Sequence, residues 1–352
     1  MARQSLQYLA FSLNEKGYVD IIDQTKLPFE KILITLKTSA DAEYAIKSMQ
    51  VRGAGVIGNI AALGVYLAAK EKPEDKHYIH ESISRIGQTR PTAVNLHIAL
   101  ERMKEVLKTT NVRLETALLA EAVRFCEEDR IASEKIAGYG CTIIENIYKD
   151  KKDTVNVLTH CNAGRLAIIG KGTALAPIYA AFEKGLPVHV WVDETRPRNQ
   201  GANLTSWELQ EAGIPHTVIV DNAAGFLMKK SLVDMVVVGA DRVTATGHVA
   251  NKVGTYQKAL AAKDNGIPFC VAYPKSTLDE NITDEIFDIP IEERDSEEIT
   301  RMRGLDKNGN IVEVDVYPPG RKVSNYSFDI TPRELVSYYI TENGNLTELK
   351  VS

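Results

Sequence analysis

Residues 234–241 read Asp-Met-Val-Val-Val-Gly-Ala-Asp, a short apolar run that ends in two small residues and a carboxylate. Such a run is typical of a buried strand, from whose carboxyl end Asp241 would emerge. Similar runs alternate with predicted helices along the second half of the chain: strands at 154–159, 188–192, 216–220 and 269–273, helices at 173–183, 204–211 and 251–263. The alternation predicts a parallel, doubly wound α/β sheet, which binds ligands beyond the carboxyl ends of its strands.

The first half of the chain has a different pattern. Residues 6–22 alternate as a strand would, with a break at 14–17, which predicts a hairpin, and residues 31–37 could add a third strand. From Ser39 to about Tyr148 apolar residues recur at helical spacing, with one helix predicted to start at Thr89-Arg90-Pro91. A charged run follows. We therefore expect two domains: a smaller N-terminal domain with a short antiparallel sheet and a helical bundle (1–150), then a Rossmann-like α/β domain (151–352).

Composition excludes several classes of protein. The 352 residues are 44% hydrophobic and 25% charged, as in globular proteins. The net charge of −5, with no long basic block, makes nucleic acid an unexpected partner. The longest apolar stretch, 57–69, is too short to span a bilayer, and no apolar signal segment follows the N-terminus, which predicts a cytoplasmic protein. Four cysteines without C-x-x-C spacing argue against disulfides and zinc: Cys126, Cys141, Cys161 and Cys270.

Two glycine-rich segments raise the question of a dinucleotide cofactor. Residues 53–58 match G-x-G-x-x-G, but residues 40–49 before them are predicted to be helical, and no acidic residue ends a second strand. Residues 170–175 are predicted to follow a strand and open a helix, but they lack the third glycine. We expect no cofactor. A Rossmann-type enzyme remains an alternative, and so does a purely conformational role for these glycines.

The start of the first glycine segment is also suited to an anion. In Arg52-Gly53-Ala54-Gly55, small residues leave backbone N–H groups accessible at a helix start, and Arg52 adds a forked donor. The alternative is a close-packed helix start with a surface arginine. Arg90 is a second candidate for an anion contact.

Three further positions carry polar groups beside predicted elements. Cys161 follows a predicted strand, where a thiol is either functional or simply buried core. Asp241 in a buried crevice would have a raised pKa, although it could instead cap a helix or pair with Arg242. Asn251-Lys252 either bind a substrate or cap a predicted helix.

Short motifs occur in a fixed order along nearly the whole chain: Val51-Arg52-Gly53-Ala54, Thr89-Arg90-Pro91-Thr92, His160-Cys161-Asn162-Ala163-Gly164, Glu194-Thr195-Arg196-Pro197, Gln200-Gly201, Gly239-Ala240-Asp241-Arg242, Asn251-Lys252-Val253-Gly254-Thr255, Ile289-Pro290-Ile291-Glu292-Glu293-Arg294 and Phe328-Asp329-Ile330-Thr331-Pro332. Together they resemble the methylthioribose-1-phosphate isomerase family. That family also includes ribose-1,5-bisphosphate isomerases and regulatory subunits of the eukaryotic translation-initiation exchange factor.

The resemblance implies a dimeric, cofactor-free aldose–ketose isomerase that acts on a small sugar phosphate, with Cys161 and Asp241 as the catalytic pair. It implies substrate-binding positions at Arg52, Gly53, Ala54, Arg90, Gln200, Asn251 and Lys252. The expected reaction converts S-methyl-5-thioribose 1-phosphate to the ribulose 1-phosphate, a step of methionine salvage. A regulatory subunit would not need both the thiol and the carboxyl group, so their joint presence favours an enzyme.

The chemistry explains the need for both groups. The anomeric oxygen of the substrate carries the phosphate, so ring opening requires an acid, which a protonated Asp241 could supply to the ring oxygen. A hydrogen must then move from C2 to C1. Cys161 could remove it as a proton or stabilise a hydride shift.

The sequence departs from the family pattern at several positions. Gly55 replaces a proline, Arg165 a small residue and His248 a common acid, and residues 324–327 replace Asn-Pro-Ala. These changes leave the catalytic pair intact but concern the group at C5 of the sugar. The alternatives are a 5-deoxyribose 1-phosphate isomerase, a ribose-1,5-bisphosphate isomerase, for which Arg165 would suit the second phosphate, and a non-catalytic regulatory subunit.

Overall fold

A three-stranded antiparallel sheet lies near the start of the computed structural model, which describes residues 6–91, 93–280, 282, 289 and 291–347. Its strands lie in the order β1-β2-β3: β1 Phe11–Leu13, β2 Val19–Ile22 and β3 Leu33–Leu36. Asn14 closes the β1–β2 turn, since its side-chain oxygen accepts from the Lys16 and Tyr18 amides. The predicted hairpin and third strand are therefore confirmed.

Five helices follow, which confirms the helical prediction for this part: α1 Ser39–Lys47, α2 Ala54–Glu71, α3 Lys76–Thr89, α4 Val94–Thr109 and α5 Leu114–Lys151. Every residue of α2 from Gly55 to Ala69 is buried, because the other four helices surround it. A helix that is apolar all round belongs at the centre of such a bundle. The longest helix, α5, packs on α2 and also on a helix of the larger sheet.

The prediction of a helix start at Thr89-Arg90-Pro91 is wrong. Thr89 is the last residue of α3, where its hydroxyl donates to the Ile86 carbonyl at 2.6 Å. Arg90 has φ −145° and ψ 78°, which is outside the helical region. A proline disfavours the helical conformation of the residue before it, so Pro91 ends α3, and α4 begins only at Val94.

A seven-stranded sheet dominates the second half of the chain, in the order β16-β15-β10-β7-β4-β5-β6. Its strands are β4 Val155–His160, β5 Val188–Asp193, β6 His216–Ile219, β7 Met235–Val238, β10 Phe269–Ala272, β15 Tyr338–Thr341 and β16 Gly344–Leu346. All neighbours are parallel except β16 on β15. The five predicted strands are present, whereas β15 and β16 were not predicted.

Helices cover both faces of this sheet, as the predicted doubly wound fold requires. They are α6 Ala176–Glu183, α7 Ser206–Glu211, α8 Ala223–Lys229 and α9 Thr255–Asp264, with a π-helical turn at Gly201–Thr205 before α7. One apolar core forms against α5 and α6, and a second forms against α8 and α9. None of the helices in the described part of the chain has the length and apolarity needed to cross a membrane.

A four-stranded sheet, β11-β8-β9-β14, lies beyond β7 in the chain. It contains β8 Arg242–Thr244, β9 Val249–Lys252, β11 Leu278–Asp279 and β14 Phe328–Thr331. Asn251 and Lys252 therefore end a strand, and the prediction that they start a helix is wrong. Their antiparallel partners in β14, Asp329 and Phe328, lie far along the chain and left no local signal. After β11 come the short helix α10, Glu297–Thr300, and the hairpin β12 Arg301–Leu305 and β13 Ile311–Asp315.

The glycine segment at 170–175 also differs from its prediction. β4 ends at His160 and α6 begins at Ala176, so the segment neither follows a strand directly nor opens a helix. Gly172 has φ +81°, and a Cβ there would lie 2.5 Å from the Gly164 backbone. The glycines serve close packing of loops, which is the conformational alternative. The segment at 53–58 is preceded by α1, which confirms that it lacks the strand of a dinucleotide site.

Candidate active site

A pocket at the carboxyl ends of β4 and β7 is lined by side chains from both halves of the chain. Every predicted site residue lines it: Cys161, Asp241, Arg52, Gly53, Ala54, Arg90, Gln200, Asn251 and Lys252. The two strands are neighbours in the sheet, so the residues that follow them meet at one edge.

Cys161 follows β4 in a backbone conformation that is unusual for a residue with a side chain, with φ +67°. Its amide donates to the Thr195 hydroxyl at 2.8 Å, and its carbonyl accepts from the Thr205 hydroxyl at 2.7 Å. These two bonds hold the peptide on both sides. The thiol contacts the pocket, so the alternative that Cys161 is buried core is wrong.

Asp241 follows β7 after Gly239 and Ala240, and its amide donates to the Ala250 carbonyl. Its side chain is exposed to the pocket, and protein from both halves of the chain surrounds that pocket. This enclosure raises the pKa of the Asp241 carboxyl, against the opposing effect of the cations around it. Neither structural alternative holds, because Asp241 precedes a strand and Arg242 pairs with Asp279 at 3.3 Å.

Burial also raises the pKa of the Cys161 thiol, and the charges of Arg52 and Lys252 oppose this rise. The same burial lowers the pKa of Arg52, of Arg90 and of Lys252. A group of desolvated cations is stabilised by an anion that binds among them. The electrostatics of the pocket therefore favour an anionic ligand.

Arg52 lies immediately before α2, and its guanidinium reaches across to the loop after Cys161. Its two terminal nitrogens donate to Asn162 Oδ1 and to the Asn162 carbonyl, each at 2.7 Å. Gly53 caps α2 with φ +90°, and a Cβ there would lie 2.5 Å from Ala167. Only glycine fits this approach, which brings the start of α2 against the thiol loop.

Two buried polar atoms in the pocket wall have no hydrogen-bond partner among the residues that the structure describes. They are Gln200 Oε1, just before the π-helical turn, and the Thr173 hydroxyl. An unpaired buried oxygen costs free energy, which a ligand hydroxyl at hydrogen-bond distance would recover. Asn251 is already engaged, since its amide donates to the Thr255 hydroxyl at 3.0 Å.

Arg294 and Phe328 were not among the predicted site residues, but they also line the pocket. Two cations lie near the Phe328 ring: the Lys252 ammonium is 5.1 Å from its centre and the Arg294 guanidinium 5.6 Å. Arg294 also pairs with Glu292 at 3.2 Å. Both residues belong to motifs that carry the family resemblance, which was the available signal.

The residues that depart from the family pattern lie mostly outside the pocket. The Arg165 guanidinium stacks on the Tyr179 ring, 4.0 Å from its centre, and lies 3.7 Å from Glu183. Neither Arg165 nor His248 lines the pocket as described. Gly55 packs on Ile168, whose side chain would lie 3.0 Å from an added Cβ.

One group of side chains in the described part of the chain has spacing that a metal ion could use: His160, Asp193 and Asp221. The Lys258 ammonium lies 3.1 Å from Asp193 Oδ2, so a cation there would meet a positive charge. Both Asp221 oxygens already accept backbone amides, from Thr195 and Arg196. The donor set therefore suits an internal ion-pair network better than a metal.

Residues 50–348 match the sequence profile of the initiation factor 2 subunit family. The chain belongs to this family. A relative from Sulfurimonas denitrificans, named methylthioribose-1-phosphate isomerase, is 50% identical over 351 residues, covering 97% of this chain and 98% of that protein. A crystal structure of 5-methylthioribose 1-phosphate isomerase from Pyrococcus horikoshii superposes with a TM-score of 0.84 at 35% identity, covering 97% and 93% of the two chains.

Another member with a similar fold carries a different name. The crystal structure of translation initiation factor eIF-2B, subunit delta, from A. fulgidus has a TM-score of 0.79 at 36% identity, covering 97% of this chain and 96% of that one. The same fold therefore occurs in proteins named as isomerases and in proteins named as initiation-factor subunits. The fold alone does not distinguish these two functions, so the residues of the pocket have to.

Proposed function

We propose that this protein is an aldose–ketose isomerase that converts S-methyl-5-thio-α-D-ribose 1-phosphate to S-methyl-5-thio-D-ribulose 1-phosphate. The observation that carries the proposal is the meeting of Cys161 and Asp241 in one pocket rich in desolvated cations. The name of the relative with 50% identity supports the choice of substrate. In this role the protein would serve methionine salvage.

The phosphate binds among the cations of the pocket. Arg52, Arg90 and Lys252 supply charge, and Gly53 and Ala54 at the start of α2 line the same space. Gln200 and Thr173, whose oxygens lack a partner in the described residues, line the same pocket and are the proposed partners of the sugar hydroxyls. Binding energy from the phosphate thereby orients C1 and C2 of the sugar.

Asp241 acts as the general acid. Its raised pKa favours the protonated form of the carboxyl, and a substrate that displaces water from the pocket would increase that desolvation. The carboxyl proton goes to the ring oxygen as the bond from C1 to that oxygen breaks, which opens the ring.

The hydrogen on C2 then moves with its electron pair to the electron-poor C1, and the C2 hydroxyl passes its proton to the Asp241 carboxylate left by ring opening, which gives the ketone and restores the acid. The raised pKa of the Cys161 thiol keeps it protonated near neutrality, which makes it a poor base. We therefore favour a hydride shift in the pocket over proton removal by a thiolate. With substrate deuterated at C2, retention of the label at C1 is expected, and its exchange with solvent would instead indicate a thiolate base.

Three candidate substituents at C5 of the substrate have to be distinguished: methylthio, methyl and phosphate. Met49, Ile57 and Ile168 contribute apolar surface to the pocket. Arg165, the residue that would suit a second phosphate, is held by Tyr179 and Glu183 instead. These contacts favour an apolar group over a 1,5-bisphosphate.

The deciding experiment compares kcat/KM for methylthioribose 1-phosphate, 5-deoxyribose 1-phosphate and ribose 1,5-bisphosphate. The proposal expects the first to be highest and the last to be lowest. A higher value for either competitor would reassign the substrate. Turnover of none would favour a non-catalytic regulatory subunit.

We also propose that the protein is a cytoplasmic homodimer. Its four cysteines are all free, as is usual in a reducing compartment. Val220 after β6, Phe226 on α8 and Leu260 on α9 are exposed by 59%, 62% and 43%, and α8 packs beside α9. A second copy of the chain would cover this apolar face. Sedimentation should give twice the chain mass of 38.9 kDa, and Phe226→Asp should shift it to a monomer.

A further inference from the structure

A cluster of three buried ionisable side chains lies directly beside the Cys161 loop. His160, Asp193 and Lys258 are exposed by only 1%, 0% and 2%. Asp193 Oδ2 lies 2.9 Å from His160 Nδ1 and 3.1 Å from Lys258 Nζ. Ionisable groups are seldom buried so completely, and the chemistry proposed above assigns no role to this cluster.

The contacts of the His160 ring define what it donates. Nε2 lies 2.9 Å from the Val253 carbonyl oxygen, which can only accept, so Nε2 carries a hydrogen. Nδ1 faces the Asp193 carboxylate, which is also an acceptor when ionised. The ring therefore contacts two neighbours through opposite edges. Its Nδ1 edge contacts Asp193 on β5, and its Nε2 edge contacts Val253 in the turn after β9.

The Nε2 edge of the His160 ring faces the turn that follows Lys252, one of the proposed phosphate ligands in the pocket. Val253 directly follows Asn251 and Lys252, and Gly254 packs against the ring so closely that a Cβ there would lie 3.1 Å from His160 Cε1. The Gly254 amide donates to Asp329 Oδ2 at 2.6 Å, which holds the turn from its other side. His160 thus directly links the end of β4, which precedes Cys161, to the turn that follows Lys252.

The Nδ1 edge of the His160 ring contacts Asp193, which supports the loop that carries Cys161. The Asp193 carbonyl accepts from the Thr195 hydroxyl at 2.9 Å, and this hydroxyl in turn accepts from the Cys161 amide. Lys258, on α9, pairs with Asp193 in this fully buried cluster.

We infer that His160 is a positioning residue that sets Lys252 relative to Cys161 through its hydrogen bond to the Val253 carbonyl. This inference rests on the proposed function, since it assigns phosphate binding to Lys252. It predicts that the two edges of the ring have separable effects: loss of the Val253 contact weakens phosphate binding, whereas loss of the Asp193 contact acts on the thiol loop.

Two substitutions separate the edges. In His160→Asn the amide is placed near the former Nδ1, so it keeps the contact with Asp193 but cannot reach Val253. In His160→Gln the amide nitrogen lies near the former Nε2 and can still donate to the Val253 carbonyl. The matched control is His189→Asn, at the opposite end of β5, whose ring contacts Thr217. Calorimetry with inorganic phosphate and steady-state kinetics with methylthioribose 1-phosphate provide the measurements.

For His160→Asn we expect the phosphate Kd and the substrate KM to rise at least about fivefold, as loss of one buried hydrogen bond implies, with a smaller change in kcat. The Gln variant should show a smaller rise than the Asn variant. Equal phosphate affinity in wild type and both variants, or a loss confined to kcat, overturns the inference. If the Asn variant does not fold, the Gln variant decides, since a KM more than about threefold above wild type contradicts it. Phosphate titration needs no turnover, so an inactive wild type would refute the proposed function alone.

Discussion

Two hydrogen bonds join Arg52 to Asn162, which lie 110 positions apart in the chain. They fasten the start of α2 to the loop that carries Cys161. The guanidinium therefore has two tasks, because its charge faces the pocket while its terminal nitrogens hold the thiol loop. A lysine could supply the charge at this position but could not form the same forked contact.

Replacement of Arg52 by alanine tests both tasks. Loss of the charge-assisted contacts should lower kcat/KM. The corresponding loss of transition-state stabilisation should be at least about 1.5–3 kcal/mol, and Arg52→Lys should recover only part of that loss. Arg165→Ala is the matched control, because that arginine stacks on Tyr179 outside the pocket. An unchanged kcat/KM in Arg52→Ala would show that Arg52 has no part in binding or catalysis.

Replacement of Asp241 by asparagine keeps the shape of the side chain but removes its acidic proton. We expect kcat to fall by about 10²–10⁴-fold with KM little changed, which is the usual contribution of general acid–base catalysis. Steady-state kinetics and a melting curve provide the measurements. Near-normal kcat in a folded variant would remove Asp241 from the mechanism.

Cys161→Ser should also lower kcat, since the hydroxyl differs from the thiol in acidity and in polarity. If Cys161 and Asp241 act on one transition state, the double variant should be little slower than the slower single variant, because groups that act as a unit are not additive. Losses that simply multiply would mean that the two residues act independently.

A third carboxyl group should control stability rather than activity. Burial raises the pKa of Asp129 to about 7, and Asn59 donates to it at 2.8 Å between α2 and α5. The unfolded chain has an aspartate pKa of about 3.9, so the native state binds more protons between about pH 4 and pH 7. Stability from this group is therefore present at low pH and is lost as pH rises through that window, by about 1–4 kcal/mol.

The Asp129→Asn variant should not share this loss. Its free energy of unfolding relative to wild type should increase between pH 5 and pH 8, as measured by denaturant titration. Asp150→Asn, on the exposed end of the same helix, is the control and should show no such trend. A constant difference between Asp129→Asn and wild type across this range would contradict the proton linkage.

Metal dependence is tested by chelation. Since Lys258 lies against the acidic group that a metal would use, and neither glycine segment has the context of a dinucleotide site, purified protein should turn over substrate without added NAD or metal. Incubation with a chelator should leave kcat unchanged. Loss of activity on chelation that a divalent ion restores would show that the enzyme depends on a metal.

Local sequence patterns were sufficient for much of the fold. The run before Asp241 has the β-branched, apolar character of a buried strand, and β7 forms there. The same signal failed at Asn251 and Lys252, because the strand that contains them is defined by pairing with Phe328 and Asp329. At Arg90, the effect of Pro91 on the preceding residue outweighed the apparent helix start.

The residue types of the candidate site could be predicted from separate short motifs in the sequence. Cys161, Asp241 and the cations could be named from their motifs and from the family resemblance, because each motif is short and continuous. Arg294 and Phe328 carried the same signal but no local reason for a place in the site. The sequence by itself thus determined which functional groups are available.

Only the tertiary structure decided which groups meet and how burial changes them. The contact of Arg52 with Asn162 and the link from His160 to Val253 join segments that are remote in the chain. The departure of Arg165 toward Tyr179 likewise depends on a neighbouring helix. Such contacts depend on how segments that are remote in the chain pack against one another. A pKa shift follows from desolvation and nearby charge, which are properties of that packing and are not written in any single motif.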